Sequence, residues 1–120
     1  MKYLTTGLLI ITVLTSVTNA QLSGPVTGTL GPGTFQVTGD INVPAGDTLD
    51  IAPGTTLEFA TGVTFYIEGL LLAQGNQSDS IKFIRETGSY GWGGIDFQPN
   101  APDTSRFAYC RIQGSLSNGV

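Results

Sequence analysis

The sequence predicts an all-β protein built from short stacked strands, a solenoid with three sides to each turn. An apolar-polar-apolar unit recurs at regular intervals, at residues 41–43, 49–51, 57–59 and 65–67. Such regular spacing is typical of stacked repeats. Gly/Pro corners separate most of the units, and strands this short and this tightly joined leave no room for crossover helices. A βαβ fold is therefore excluded.

Two all-β arrangements accommodate these strands. A sandwich joins sequential strands through hairpins, but the Asn-Gly and Asp-Gly hairpin signals are absent within the repeats. A coil of three-sided turns needs corners that change the direction of the chain without reversing it, and about 24 residues per turn. The repeat therefore favours the coil over the sandwich.

The first twenty residues have the organisation of a secretory signal peptide. Lys2 supplies the positive charge, residues 7–14 form a short apolar stretch, and Ala20 ends a small-residue cleavage site. The stretch is shorter than the roughly 20 residues that cross a bilayer, although an uncleaved anchor is the alternative. We expect a signal peptide over residues 1–20 and a secreted or cell-surface protein that begins at Gln21, with no transmembrane segment after cleavage.

The mature chain divides into a lead-in and a repeat region. Residues 21–34 are rich in Gly and Pro and show little apolar alternation, which predicts an irregular lead-in or cap. Regular structure is expected from Phe35, and the repeat strands are expected over residues 35–120. The mature chain has the size of one domain at most.

Period-two alternation places the strands within the repeat region, with apolar side chains inward and polar ones outward. Gly69 and Gly75 fall at inward positions, where glycine suits a bend or a close approach of two backbones. The segments that show the alternation are residues 35–43, 48–51, 55–60, 63–75, 81–83, 95–97 and 105–114.

The last of these segments offers two sets of inward side chains, either Phe107 and Tyr109 or Ala108, Cys110 and Ile112. The second set is favoured because it points Arg106 and Arg111 outward, where the charges keep their hydration. Cys110 is the single cysteine of the chain, so no intramolecular disulfide forms, and we interpret it as a core residue rather than a reactive thiol.

Charge and composition narrow the functional classes. Without Lys2 the chain has four cations against nine acids, a net charge of −5, which disfavours nucleic acid as a partner. The chain contains no histidine, the commonest general base and zinc ligand. No cofactor is expected.

One series of motifs covers nearly the whole mature chain. It begins with Gly-Asp-Ile-x-Val over residues 39–43 and Pro-x-Gly-x-Thr-Leu-x-Ile-x-Pro-Gly-x-x-Leu-x-Phe over residues 44–59. It continues with Ile-x-Gly-x-Leu-x-Ala-x-Gly over residues 67–75, Ile81-x-Phe83, Trp-x-Gly-Ile over residues 92–95 and Tyr-Cys-x-Ile over residues 109–112. This series resembles the opening rungs of exported bacterial right-handed parallel β-helix proteins, the pectin-lyase-like superfamily.

The resemblance implies a triangular coil of parallel strands about 4.8 Å apart with a cap over its first rung. Family members include polysaccharide lyases and hydrolases as well as adhesin-like surface proteins. The segment after Gly114 has no polar capping sequence, so we expect an open edge that invites self-association. For the same reason we interpret the chain as truncated or a fragment rather than a natural short protein.

The lyases of this superfamily generally need clustered aspartates that hold calcium, and the hydrolases need paired carboxylates. Asp47 with Asp50, or Asp40 with Asp50, could approach across a corner. Ordinary turn chemistry at Asp47 is the favoured interpretation, and no metal site is predicted. Glu58 with Lys82 is interpreted as a surface pair of little energetic weight.

Aromatic side chains supply the candidate binding residues. Trp92 and Tyr90 lie among glycines and serines, where an exposed ring can stack on a sugar, and outward-facing Tyr66 could extend that surface. The alternative is that Trp92 folds over a corner and covers the core. We therefore predict glycan contacts at Trp92, Tyr90 and Tyr66.

The sequence is best explained as a non-catalytic secreted or cell-surface scaffold, adhesin-like, that binds glycans or surface proteins. The alternative is the N-terminal fragment of a polysaccharide lyase or glycoside hydrolase whose catalytic rungs lie beyond Val120. Carbohydrate, surface proteins and further copies of the chain, through the open C-terminal rung, are the expected partners.

Overall fold

The computed structural model describes residues 20–116 of the 120-residue chain. The predicted signal peptide, apart from Ala20, and the last four residues of the repeat region lie outside the described residues. Within residues 20–116 no helix is long and apolar enough to cross a membrane. The strands are β1 Ala20–Pro25, β2 Gly28–Leu30, β3 Gly33–Val43, β4 Thr48–Ile51, β5 Thr55–Phe59, β6 Thr64–Ile67, β7 Leu70–Gln74, β8 Ile81–Arg85, β9 Gly94–Phe97, β10 Arg106–Ala108 and β11 Cys110–Ile112.

The fold is all-β, and every pairing between these strands is parallel. One sheet has seven strands in the order β11-β8-β5-β3-β6-β9, with β1 also paired to β3. A second sheet has four strands in the order β10-β7-β4-β2. The antiparallel hairpins of a sandwich do not occur in the part of the chain that the structure describes.

The long strand β3 divides the larger sheet into two stacks. Residues 33–37 pair with β5, whereas residues 41–43 pair with β6. We call β1, the first half of β3, β5, β8 and β11 the first stack, and the second halves of β1 and β3 with β6 and β9 the second stack. The third stack contains β2, β4, β7 and β10.

The sequence separation between paired residues grows along the chain. Early pairs are close in sequence, as when Ile41 pairs with Phe65. Later pairs such as Leu72 with Arg106 are further apart, because the loops at residues 86–93 and 98–105 are inserted between strands. The expected repeat of about 24 residues per turn therefore describes the first turns better than the last.

The inward side chains follow the predicted alternation and form one apolar cluster. In the first stack Leu57 pairs with Phe35 on one side and with Phe83 on the other, and Leu57 is fully buried. In the third stack Ile51 pairs with Leu30 and Ala73, and all three are at most 1% exposed. Side chains at equivalent positions of successive strands therefore pack on one another as columns inside the stacks.

Gly69 separates β6 from β7 and confirms the predicted close approach of two backbones. A Cβ atom at this position would collide with the carbonyl oxygens of Pro44 and Asp47. The same carbonyl of Asp47 accepts a hydrogen bond from Leu70 N at 2.9 Å. The predicted single segment at residues 63–75 is therefore two strands with a bend between them.

The lead-in is more regular than the sequence predicts. Residues 20–25 and 28–30 form β1 and β2, which pair with β3 and β4. The register of β1 shifts between Leu22 and Gly24, and Val26 N donates to Asn42 O at 2.9 Å beyond its end. Glycine and proline weaken the local strand signal of this segment, and pairing with the next strands along the stacks overrides it.

The predicted strand at residues 105–114 is also two strands, and its phase changes between them. Phe107 pairs with buried Ala73 and takes the inward position of β10, so the outward assignment of Phe107 is wrong. Tyr109 has a φ of 52°, a left-handed conformation that resets the alternation. Cys110 and Ile112 then pair with buried Ile81 and Phe83, so these two are inward as predicted, whereas Ala108 pairs with exposed Gln74.

Candidate functional site

Trp92 lies in the loop before β9 and belongs to the core. Its side chain is fully buried and stacks on Phe59, with ring centroids 3.9 Å apart and planes inclined by 9°. Its indole N–H donates to Gln113 O at 2.9 Å. A buried ring has no face to offer a sugar, so the structure removes Trp92 from the predicted glycan surface and supports the alternative that it covers the core.

The space that Trp92 fills is created by a charge in the first stack. Arg85 pairs with Phe59 and would face inward by alternation, yet it is exposed and its Nη1 donates to Ser89 O at 2.9 Å. Burying an unpaired guanidinium costs far more than burying a ring, so the chain turns Arg85 outward and the indole covers Phe59 instead. This exchange of side chains between β8 and the following loop has no signature in the alternation.

Tyr90 and Tyr66 remain accessible. Tyr90 is 85% exposed, and its backbone N–H donates to Thr61 Oγ1 at 3.0 Å, which holds the loop to the corner before β6. Tyr66 is half-buried at an outward position of β6, where it pairs with Asn42 and Asp96. Two of the three predicted glycan-contact residues are therefore placed at the surface, both on or beside the second stack.

The carboxylates singled out by the sequence lie apart and have structural partners. Asp40 Oδ1 accepts a hydrogen bond from Thr64 N at 2.9 Å, and the backbone N–H of Asp47 donates to Pro44 O at 3.0 Å. Asp50 pairs with Thr29 and Leu72 on the third stack. No group of three or more His, Cys, Asp or Glu residues that could hold a metal ion occurs within residues 20–116.

Glu58 pairs across the first stack in the opposite direction from the prediction. Its Oε1 accepts a hydrogen bond from Gln36 Nε2 at 2.6 Å, one strand toward the N-terminus. The register pairs Lys82 with Thr56 and pairs Glu58 with Ile84. Glu58 and Lys82 are thus diagonal neighbours, and the carboxylate is engaged by the amide of Gln36.

A pocket of about 290 Å³ lies between β9 and β10. Phe97 and Phe107 occupy the inward positions that pair with buried Ile67 and Ala73, yet each is 38% exposed. Their rings meet edge to face at 6.1 Å, and Phe107 meets Phe83 of the core at the same distance. The lining residues are Phe97, Gln98, Ala101, Pro102, Asp103, Ser105 and Phe107.

The pocket is the uncovered end of the apolar interior. Periodicity does not predict it, because alternation assigns Phe107 outward and residues 98–105 show no strand pattern. One signal could have found it. Every cation after Lys2 occurs late in the chain, at Lys82, Arg85, Arg106 and Arg111, whereas residues 20–81 contain six acids and no Lys or Arg.

Cys110 lies beside this end, at the first position of β11. The side chain is half-buried, and its Sγ donates to Ala73 O at 3.1 Å. Burial disfavours the thiolate and raises the pKa of Cys110 above the ordinary value of a thiol, while the hydrogen bond with Ala108 opposes this change. A thiol with a raised pKa is a poor nucleophile at neutral pH, in line with the packing role that we predicted for it.

Comparisons with known proteins identify one segment of similarity and no family. No family model matches the chain, and no solved structure matches it. The protein named Protein bark beetle, from Drosophila melanogaster, is 46% identical over 57 residues, which is 46% of this chain and 2% of that protein. The chain therefore spans a very small part of the length of this relative, and the similarity concerns a segment rather than a whole protein.

Proposed function

We propose that this chain is an exported right-handed parallel β-helix and that it serves as a non-catalytic scaffold that displays binding surfaces. The observation that carries the proposal is the register of the three stacks. Strands recur on each stack in parallel, and in the first turns the separation is similar from one stack to the next, as for Gly28 with Leu49 and Gly33 with Thr55. That arrangement is expected when a chain winds as a three-sided coil and lays each turn on the one before.

A division between interior and surface supports the scaffold role. Leu57, Ile41 and Leu49 place apolar side chains inside the first, second and third stacks, and each is fully buried. The outward positions hold short polar side chains such as Thr56, together with amides such as Gln36. Rigid parallel strands with polar outer faces present regularly spaced groups without conformational change, which suits binding to extended ligands or to neighbouring proteins.

Glycan binding is the second part of the proposal, and one observation favours it. Tyr90 is 85% exposed while its backbone is tied to Thr61, so the ring is both accessible and held in place. An aromatic ring fixed in this way offers an apolar face to a sugar and loses little conformational entropy on binding. Tyr66 on the adjoining stack would widen the same surface.

The experiment is a glycan-array screen of the secreted chain with a matched pair of variants. Tyr90→Ala is expected to lower binding at least several-fold, because it removes the exposed ring. Tyr109→Ala, which removes a tyrosine that is 60% exposed at the other end of the structure, serves as the control and is expected to leave binding unchanged. Equal losses in the two variants would contradict a specific surface at Tyr90.

A second measurement addresses the non-catalytic role. The secreted chain is incubated with acidic and neutral polysaccharides, and new reducing ends and unsaturated uronic acids are followed over time. No release above the blank is expected. Release that persists through purification would assign a lyase or hydrolase activity to this chain and overturn the scaffold proposal, even if the array shows binding.

A further inference from the structure

We propose that the C-terminal end face docks against the same face of a second copy and forms a closed two-fold dimer. We define this face by Phe97, Ala101, Phe107 and Ile112, which surround the uncovered end of the apolar interior. The inference goes beyond the scaffold role and depends on the observed pairing and burial, whatever ligand the outer surfaces bind.

Incomplete burial of the interior is the first observation. Elsewhere in the described chain the inward apolar side chains of β1 to β8 are at most 7% exposed. At the end face Phe97 and Phe107 are 38% exposed, and Cys110 and Ile112 are half-buried against the same cluster. A concentration of partly exposed aromatic and aliphatic side chains around a pocket is typical of an interaction surface.

The backbone at this face is the second observation. Strands β9, β10 and β11 are each the last strand of their stack in the part of the chain that the structure describes. A terminal strand of this kind presents backbone N–H and C=O groups along its outer edge and pairs readily with another chain. The apolar pocket and these edges lie on the same face, so one partner can cover both.

The opposite end of the stacks decides the symmetry. Leu22, Val26 and Leu30 are inward side chains of β1, β2 and the segment between them, and they are 7%, 3% and 0% exposed. That end offers no apolar surface to the end face of another copy. Head-to-tail growth is therefore disfavoured, and contact between two identical end faces gives a closed, isologous pair.

Charge favours the same geometry. Residues 20–81 contain six acids and no cation, so the sides of two copies repel each other there. Residues 82–116 contain four cations and three acids, which makes the end nearly neutral. Around the end face a two-fold arrangement can oppose Asp96 and Asp103 of one copy to Arg106 and Arg111 of the other.

The test measures the mass of the secreted chain in solution from low to high micromolar concentration by sedimentation equilibrium. A monomer–dimer equilibrium with no larger species is expected. Ala101→Arg places a long charged side chain in the pocket and should weaken dimerisation at least tenfold. Ala45→Arg makes the same substitution at an exposed corner of the first part of the chain, and it should leave the dimer unchanged or slightly tighter because it reduces the negative charge.

Phe107→Ser is a second variant that should give a monomer, with the burial of Trp92 used as a check that the fold is retained. Three results would each overturn the proposal. The chain could stay monomeric at every concentration, or form species that grow without limit, or weaken equally in the two arginine variants. Export as a longer polypeptide that stays monomeric and folds over the end face would assign that face to the protein's own chain, and it would also overturn the dimer.

Discussion

The two ends of the strand stacks differ in how far they bury side chains that occupy equivalent positions. At the first end Leu22, Val26 and Leu30 are at most 7% exposed. At the last end Phe97 and Phe107 are 38% exposed, although both pair with buried residues of the preceding strands. The comparison teaches that alternation selects which side chains face inward, whereas full burial requires a neighbour on both sides along the stack.

The two ends also differ in charge. The first part carries acids alone, while cations and acids are mixed near the pocket. The apolar surface is therefore exposed where like-charge repulsion is weakest. Apolar exposure and charge balance, which are independent properties of the sequence, coincide at one end of the molecule.

The largest expected effect comes from removing one ring in the core and one at the end face. Phe83→Ala should lower the free energy of unfolding by about 3–5 kcal/mol, as for other buried phenylalanines. Phe107→Ala should cost roughly half as much, because more than a third of that side chain already contacts water. Urea denaturation followed by Trp92 fluorescence, at a concentration where the chain is monomeric, measures both values. Equal losses would show that the two sites are equally packed.

Aliphatic side chains allow the same comparison between opposite ends. Leu30→Ala should cost about 2–5 kcal/mol because the side chain is fully buried in the third stack. Ile112→Ala should cost about 1–2 kcal/mol because the side chain is half-buried. Denaturation under identical conditions provides the measurement. A larger loss at Ile112 than at Leu30 would reverse the ranking of the two ends.

A buried hydroxyl offers a finer test of packing near the first end. Thr55 is fully buried, and its Oγ1 donates to Ala52 O at 2.7 Å, with Leu30 O at 3.4 Å. Thr55→Val keeps the shape but removes the donor, so we expect a loss of about 1–2 kcal/mol. The neighbouring Thr56→Val, at an outward position, is the control and should change stability by less than about 0.5 kcal/mol. Similar values for the two variants would mean that the hydroxyl of Thr55 contributes little.

The smallest effect concerns Cys110 beside the end face. Burial raises its pKa, so iodoacetamide should modify the folded chain more slowly at neutral pH than it modifies the chain in denaturant. The neutral thiol is favoured in the folded state. The associated stability is therefore present below the pKa of the unfolded chain and is lost as the pH rises through the higher folded pKa. Mass spectrometry of the alkylated protein measures the rate, and equal rates in both states would contradict partial burial.

Much of the strand pattern was predictable because the period-two alternation is strict. Spacing alone identified the inward side chains of β3 to β8, including Ile51 and Leu57, and both are buried. Predictions failed where local signals conflict with pairing. Residues 21–34 have weak strand propensity yet pair in register, and Tyr109 changes the phase of a segment that looks continuous. Neither effect can be obtained from periodicity, because both depend on the neighbouring strand.

The candidate surface was only partly predictable for the same reason. Tyr90 and Trp92 are near neighbours in a glycine-rich loop, and the sequence offers no reason to separate them. The structure exposes one by 85% and buries the other completely. The separation follows from Arg85, which leaves the ring of Phe59 to be covered by the indole.

By itself the sequence determined that the chain is all-β, where most corners fall, and which apolar side chains face inward. These properties are local, because they depend on spacing and on glycine and proline at corners. Only the tertiary structure decided that the strands pair in parallel, that Trp92 fills the core and that Phe97 and Phe107 are left partly uncovered. Those outcomes depend on contacts between residues far apart in the sequence, which no single strand specifies.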